Sequence, residues 1–315
     1  MGEKSAKIGR KLEGFGENLI SDLGWVELTR DREISCKRAA HDKQTHGIDL
    51  LCKFSNPYIN GNQGVIIECK NRQMKSINKG EIEKWVKELI NTIECSQSTD
   101  DLNDLDKSDI CTLNTGLLII HANDVWDENA FYNALHALSV SNKRNPINVF
   151  IAGSDKINMW TSLLSKIKAD YLNGFSFVYP SFNEFNRKTQ ASLSLNALFS
   201  KYIVAEGIYS VEKNNSGIPY SELCRQNIMF FLDDICLENF KYAWSMFKHF
   251  QLQGAGKYVF IFYPQKNGDV EFVCENFKKA IKAGDPHIDN SEIDKICCDF
   301  IDNRSLSPIE AGGSR

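Results

Sequence analysis

The sequence lacks several patterns that would assign a class of function directly. Its ten cysteines include no CxxC pair, which argues against a zinc site. No run of eighteen apolar residues occurs and the first residues have no apolar signal core, so we expect neither a membrane span nor secretion. GxGxxG, P-loop and helicase motifs are also missing. We therefore expect a protein of the reducing cytoplasm, with free cysteines and no nucleotide-driven motor.

The size and composition are those of an ordinary globular protein. The chain has 315 residues, of which 42% are hydrophobic and 25% are charged, and this length favours two domains. The net charge of −4 does not indicate nucleic-acid binding, although a local basic surface would be enough for it. Residues 70–87 carry a local excess of positive charge. Its members are Lys70, Arg72, Lys75, Lys79, Lys84 and Lys87 against Glu81 and Glu83. This excess could steer a phosphate backbone, or it could simply be a solvated helix face.

Two apolar segments, residues 47–54 and 64–70, predict a β-hairpin that contains unusual charges. Side chains alternate across a strand, so Glu68 and Lys70 should leave the same face about 7 Å apart. An isolated buried charge is costly, so this acid and base should be paired or bound to a ligand. Asp49 and Glu68 could hold Mg²⁺ beside a phosphate, and Lys70 could orient a water or stabilise the transition state. The alternative is a cross-strand ion pair at a sheet edge.

An Asp followed about twenty residues later by Glu-x-Lys resembles the PD-(D/E)XK nuclease superfamily, the restriction-endonuclease-like fold. The opening segment, residues 9–25, is similar to the first helix of its Mrr/RecB-like branch, in which a Glu joins the metal site. Glu13 matches that position best, and Glu17, one turn later, is the reserve candidate. The first motif departs from the family name, because Ile48 rather than Pro precedes Asp49. The resemblance implies Glu13, Asp49 and Glu68 as metal ligands together with the Cys69 carbonyl, and Lys70 as a catalytic residue.

Strand and helix patterns alternate along the chain, which favours an α/β fold. The resemblance implies a mixed central sheet flanked by helices over residues 1–180. Residues 181–315 are expected to form a second α/β domain that recognises a partner or substrate. Aromatic residues between 240 and 250 lie at core spacing, so we interpret them as core or as a partner interface rather than as base-stacking groups. His46 and His121, each at the end of a strand, are interpreted as structural residues rather than as site residues.

The resemblance implies a Mg²⁺-dependent DNA endonuclease in which Mn²⁺ may substitute. Stand-alone nucleases of this branch resemble bacterial defence effectors, so we expect restriction of phage or plasmid DNA. A protein partner or a homo-oligomer formed through the C-terminal domain is expected. Two alternatives stay open: an RNA nuclease, perhaps acting on tRNA, with the same fold, or a non-catalytic subunit that binds nucleic acid or scaffolds a complex.

Overall fold

The chain folds into two units in the computed structural model. The structure describes residues 19–105, 110–139, 146–171, 174–180, 188–215, 218–263 and 269–302. The division between the units falls between Asn158 and Met159. The sequence placed this boundary at residue 180. Local alternation of strands and helices does not reveal which sheet a strand joins, and the strand Ser176–Tyr179 pairs within the second sheet.

The first unit contains a five-stranded mixed sheet with the strands in sequence order. The first three strands are antiparallel neighbours, and the third, fourth and fifth are parallel. These strands are β1 (Val26–Ser35), β2 (Thr45–Ser55), β3 (Asn62–Arg72), β4 (Ile110–Ala122) and β5 (Asn148–Ala152). The predicted hairpin is thus β2 and β3, and β3 lies at the centre of the sheet.

Helix α1 (Lys79–Ser96) covers one face of this sheet. The Asn78 side chain accepts a hydrogen bond from the Glu81 backbone N–H and caps the first turn. The apolar stripe of α1 is buried against strand residues such as Ile66, Leu118 and Ile120. At Gly116 an added Cβ would lie 2.8 Å from the Leu89 side chain, so the glycine allows α1 to approach β4 closely. Two further helices are α2 (Glu128–His136) and α3 (Ser154–Asp170).

The second unit contains a six-stranded mixed sheet in the order β11-β10-β9-β8-β6-β7. Its strands are β6 (Ser176–Tyr179), β7 (Lys188–Gln190), β8 (Tyr202–Asn215), β9 (Ile218–Phe231), β10 (Lys257–Phe262) and β11 (Ile296–Phe300). Its helices are α4 (Leu195–Leu198), α5 (Leu237–His249), α6 (Val270–Gly284) and α7 (Asn290–Asp294). Two mixed sheets with helices confirm the predicted α/β fold class.

The aromatic residues of α5 form part of the core of the second unit. Phe240, Trp244 and Phe247 are buried, and the Phe247 ring packs 5.4 Å from that of Phe260, measured between ring centroids. Their predicted role as core residues is confirmed. Tyr242 is the exception, because 58% of it is exposed.

Several local predictions differ from the structure. The polar residues 30–46 predict a loop or a short irregular arm, yet residues 30–35 continue β1, which pairs with β2 along its length. The sequence around Cys297 and Cys298 predicts a helix, but both lie in β11 beside β10. The apolar spacing of residues 4–23 predicts an amphipathic helix, and this segment falls mostly outside the described residues, of which 19–22 are helical.

Among the residues that the structure describes, no helix combines the length and the apolar character needed to cross a membrane.

Candidate active site

Asp49 and Glu68 come close together where the pairing of β2 with β3 ends. The last pair is Leu50 opposite Ile67, so the next residue of each strand is one of the two acids. Ile66 is buried in the core beneath α1, and Glu68 follows it by two residues, so Glu68 points to the side covered by α1. The Asp49 charge contributes to the raised pKa of Glu68, which places the two carboxylates near each other.

A hydrogen bond fixes the Asp49 carboxylate across the two strands. The Cys69 backbone N–H donates to Asp49 Oδ2 over 3.0 Å. This bond joins β2 to β3 at the position where the carboxylates meet. Asp49 is therefore held by the backbone of the same motif that carries Glu68 and Lys70.

Lys70 and Glu68 form an ion pair on the central strand. The Lys70 ammonium donates to Glu68 Oε1, and the two side chains are only 17% and 15% exposed. Glu68 and Lys70 lie opposite Leu118 and Ile120 of β4, while the pairing of β3 with β2 ends at Ile67. The ion pair is therefore formed within one strand rather than across two strands, and that strand has neighbours on both sides in the sheet.

The environment of Glu68 disfavours its negative charge. Burial raises the pKa of Glu68, and the Asp49 charge raises it further, whereas Lys70 acts in the opposite direction. Two neighbouring, partly buried carboxylates repel each other, and a divalent cation bound between them would relieve this repulsion. The donor set of hard oxygen atoms fits Mg²⁺ or Mn²⁺.

Comparison with protein-family models agrees with this geometry. A model described as "GAPS4 protein PD-(D/E)XK nuclease domain" matches residues 1–156. The N-terminal domain belongs to the PD-(D/E)XK nuclease superfamily. No curated protein and no solved structure matched the chain.

The described part of the nuclease domain brings together three of the side chains that the sequence singled out, Asp49, Glu68 and Lys70. Cys69 adjoins them, and its backbone N–H binds Asp49, while its carbonyl as a metal ligand stays a prediction. Glu13 and the reserve candidate Glu17 lie outside the described residues.

The two histidines considered from sequence are not part of this group. His121 is buried, and its register opposite Asn71 places it on the other face from Lys70, which lies opposite Ile120. His46 is also buried, and its Nε2 lies 3.3 Å from Nδ1 of His41. Both observations agree with the structural interpretation of these residues.

Near the site the structure adds one acidic residue, Glu88, that no sequence motif indicates. Glu88 of α1 contributes to the raised pKa of Glu68, more weakly than burial and Asp49. It also lies 3.4 Å from the Lys43 ammonium, measured between Oε1 and Nζ. The sequence signal for Glu88 was its position on α1 next to the buried Leu89, at the border of the apolar stripe by which α1 covers the catalytic face of the sheet.

The basic residues after the motif face solvent. Arg72, Lys75, Lys79, Lys84 and Lys87 are all exposed. Lys79 Nζ lies 3.6 Å from Glu83 Oε1, one helical turn away, and this pair reduces the local positive charge. These residues form a solvated surface that is available to a polyanion.

The repulsion between the two carboxylates predicts a stability change. A raised folded-state pKa means that Glu68 binds its proton more tightly in the folded chain, so stability falls as pH rises through its usual range toward the folded pKa. Asp49→Asn keeps an oxygen acceptor for Cys69 and removes one cause of the shift. In EDTA at about pH 8 we expect this variant to have a higher free energy of unfolding than the wild type.

Calorimetry of both proteins at two pH values measures this effect. At about pH 4, below the raised pKa of Glu68, that carboxyl is largely protonated in the folded chain and the difference should shrink. A variant that is less stable than the wild type at both pH values would contradict the predicted repulsion.

Proposed function

We propose that this protein is a Mg²⁺-dependent endonuclease that hydrolyses phosphodiester bonds in DNA. The observation that carries the proposal is one group of side chains: the facing carboxylates of Asp49 and Glu68 with the Lys70 ammonium on Glu68. It lies on a central strand of a PD-(D/E)XK nuclease domain. Two carboxylates and one ammonium at these positions are the groups that metal-assisted phosphodiester hydrolysis requires.

Asp49 and Glu68 would hold the ion, joined by the Cys69 carbonyl and Glu13 according to the family resemblance. A bound Mg²⁺ would supply a more acidic water and neutralise charge on the phosphate, and Mn²⁺ would substitute for it. The hydrogen bond from Cys69 keeps the Asp49 carboxylate oriented before substrate arrives. Preorientation matters because a loosely held ligand must be ordered during the reaction.

Lys70 has a separate task. In the structure its ammonium neutralises Glu68. With a cation held by the carboxylates, the Lys70 ammonium would be free to orient the attacking water or to stabilise the extra negative charge on the phosphate oxygens. Its low exposure strengthens this interaction, because a partly buried charge is less screened by solvent.

The family match and the lack of motor motifs support a role in defence. A family named for the GAPS4 protein matches the nuclease domain, and the sequence contains no nucleotide-driven motor. We propose that the protein acts in the cytoplasm on phage or plasmid DNA, with the C-terminal domain binding a protein partner or a second copy. The exposed basic residues that follow the motif would steer the DNA backbone toward the site.

The test is incubation of the full chain with plasmid DNA and, separately, with total RNA, in Mg²⁺, Mn²⁺ or EDTA. We expect plasmid cleavage in either metal and none in EDTA. Cleavage of RNA alone would replace DNA by RNA as the substrate while keeping the same chemistry. Cleavage of DNA that continues in EDTA would contradict the metal dependence, and the absence of cleavage of both would favour the scaffolding subunit.

A further inference from the structure

A second group of side chains, away from the carboxylates, contains two cysteines and two histidines. Cys36 follows β1, His41 ends the 3-10 turn Ala39–His41, His46 lies in β2, and Cys95 lies in the last turn of α1. One atom from each side chain converges here, namely Sγ of both cysteines, Nδ1 of His41 and Nε2 of His46. These four atoms all lie within 4.8 Å of one another.

Four of the six distances between these atoms match those of a tetrahedron around a metal ion, and the other two are within 4.8 Å. The two sulfurs are 3.7 Å apart, and the two nitrogens are 3.3 Å apart. His41 Nδ1 lies 3.6 Å from the sulfur of Cys36 and 3.4 Å from that of Cys95. Tetrahedral zinc with its usual bond lengths would place sulfur pairs about 3.8 Å apart, nitrogen pairs about 3.3 Å apart and mixed pairs about 3.5 Å apart.

The histidine that faces both sulfurs is supported by a second contact. His41 Nε2 lies 3.0 Å from Glu94 Oε2, and the two side chains are 4% and 10% exposed. A histidine that binds metal through one ring nitrogen usually donates its other N–H to a carboxylate. The Glu94 carboxylate is in turn 3.7 Å from the Arg38 guanidinium, measured from Oε1 to Nη1.

The backbone holds the ligands in place before any ion binds. The Cys36 N–H donates to the Gln44 carbonyl over 2.8 Å and closes the connection between β1 and β2. Asp42 adopts a left-handed conformation with φ 51°, which turns the chain between the two histidines. His46 and Cys95 are buried, so most of the group is shielded from water.

We propose that Cys36, His41, His46 and Cys95 bind one Zn²⁺ ion in a structural site. Sulfur and imidazole ligands select zinc over Mg²⁺, so this site and the carboxylate site would hold different metals. Four protein ligands complete a tetrahedron and leave no position for substrate, which is typical of structural zinc.

The ion would join the β1–β2 connection to the end of α1. His46 and Asp49 lie on the same strand, about 10 Å apart along it. Zinc would thus anchor the strand that carries one of the proposed catalytic carboxylates to the helix that covers the catalytic face. The lack of a CxxC pair argues against zinc, but three of these ligands lie within residues 36–46 without such a pair, and the fourth, Cys95, is brought to them by the packing of α1.

Metal content of the purified full-length protein tests the proposal without any activity assay. We expect about one zinc per chain in the wild type, and its loss in Cys36→Ser and His46→Asn. Three control variants should retain the zinc ion. Cys111→Ser and His136→Asn change exposed residues of the same unit, and Asp49→Asn changes the carboxylate site. A wild type without zinc, or a Cys36→Ser variant that retains it, would overturn the proposal.

Cobalt substitution of the wild type avoids dependence on the folding of variants. Co²⁺ added to the demetallated protein should give the visible bands of a tetrahedral thiolate complex, and added Zn²⁺ should abolish them. Bands of an octahedral ion, or a disulfide between Cys36 and Cys95 in freshly purified protein, would contradict the site.

Glu94→Gln gives a finer test, because it leaves all four ligands in place. Removing the carboxylate that orients His41 should weaken zinc binding about 10- to 100-fold, measured by competition with a chelator. Glu88→Gln, on the same helix but without a contact to the cluster among the described hydrogen bonds, is the matched control. Equal zinc affinities of the Glu94 variant and the wild type would remove Glu94 from the proposed site.

Discussion

Lys70→Ala is expected to reduce the rate of DNA cleavage about 10²- to 10⁴-fold, the range found when a positioned catalytic group is removed. The wild-type ammonium is bonded to Glu68 and only 17% exposed, so bulk solvent cannot replace it. Alanine removes the charge that would act on the water or the phosphate, and it also leaves Glu68 without the group that lowers its pKa. Initial rates on plasmid DNA at saturating Mg²⁺ measure the loss.

Lys84→Ala is the matched control for this variant. Lys84 is an exposed lysine of α1, so its loss should change the rate only slightly and mainly at low salt, where electrostatic steering is not screened. Melting curves should show that both variants remain folded. Wild-type cleavage rates in Lys70→Ala would exclude Lys70 from the mechanism, whatever the fate of the metal ligands.

Phe247→Ala is expected to lower the free energy of unfolding of the C-terminal unit by about 3–5 kcal/mol, as for other buried aromatic residues. Phe247 is fully buried and stacks on Trp244, with 5.6 Å between the ring centroids. It also contacts Tyr258 and Phe260 of β10 edge-on or tilted, so alanine leaves a cavity between helix and sheet. Denaturant unfolding, followed by tryptophan fluorescence, measures the change.

Tyr242→Ala on the same helix is the control that distinguishes a loss of stability caused by lost burial from one caused by a change in helix propensity. Tyr242 is 58% exposed, and its replacement should change stability by about 0.5 kcal/mol or less. A Phe247→Ala variant as stable as Tyr242→Ala would contradict the core assigned to this unit.

The sequence reveals the catalytic motif because the motif is local. Asp49, Glu68 and Lys70 lie on the two strands of one hairpin, and the alternation of side chains places Glu68 and Lys70 on one face without further information. The apolar runs around them predict strands since a buried strand needs such residues on both faces. The aromatic spacing of α5 predicts a buried face in the same way.

The strand pairing and the second cluster required long-range information. No local pattern tells that β6 joins the second sheet, because the choice of sheet depends on partners such as β8, about thirty residues later. Cys95 is separated from Cys36 by the whole hairpin and by α1, and the packing of that helix brings the two sulfurs together.

The sequence by itself therefore determined the α/β class, the nuclease motif and the presence of a second domain. Each of these depends on periodicity or on residues within one hairpin or helix. The tertiary structure alone decided that β3 is a central strand, that the units divide after Asn158, and that two cysteines and two histidines converge. Those features depend on which distant segments pack against each other, and the free energy of that packing is shared over many residues that no short pattern contains.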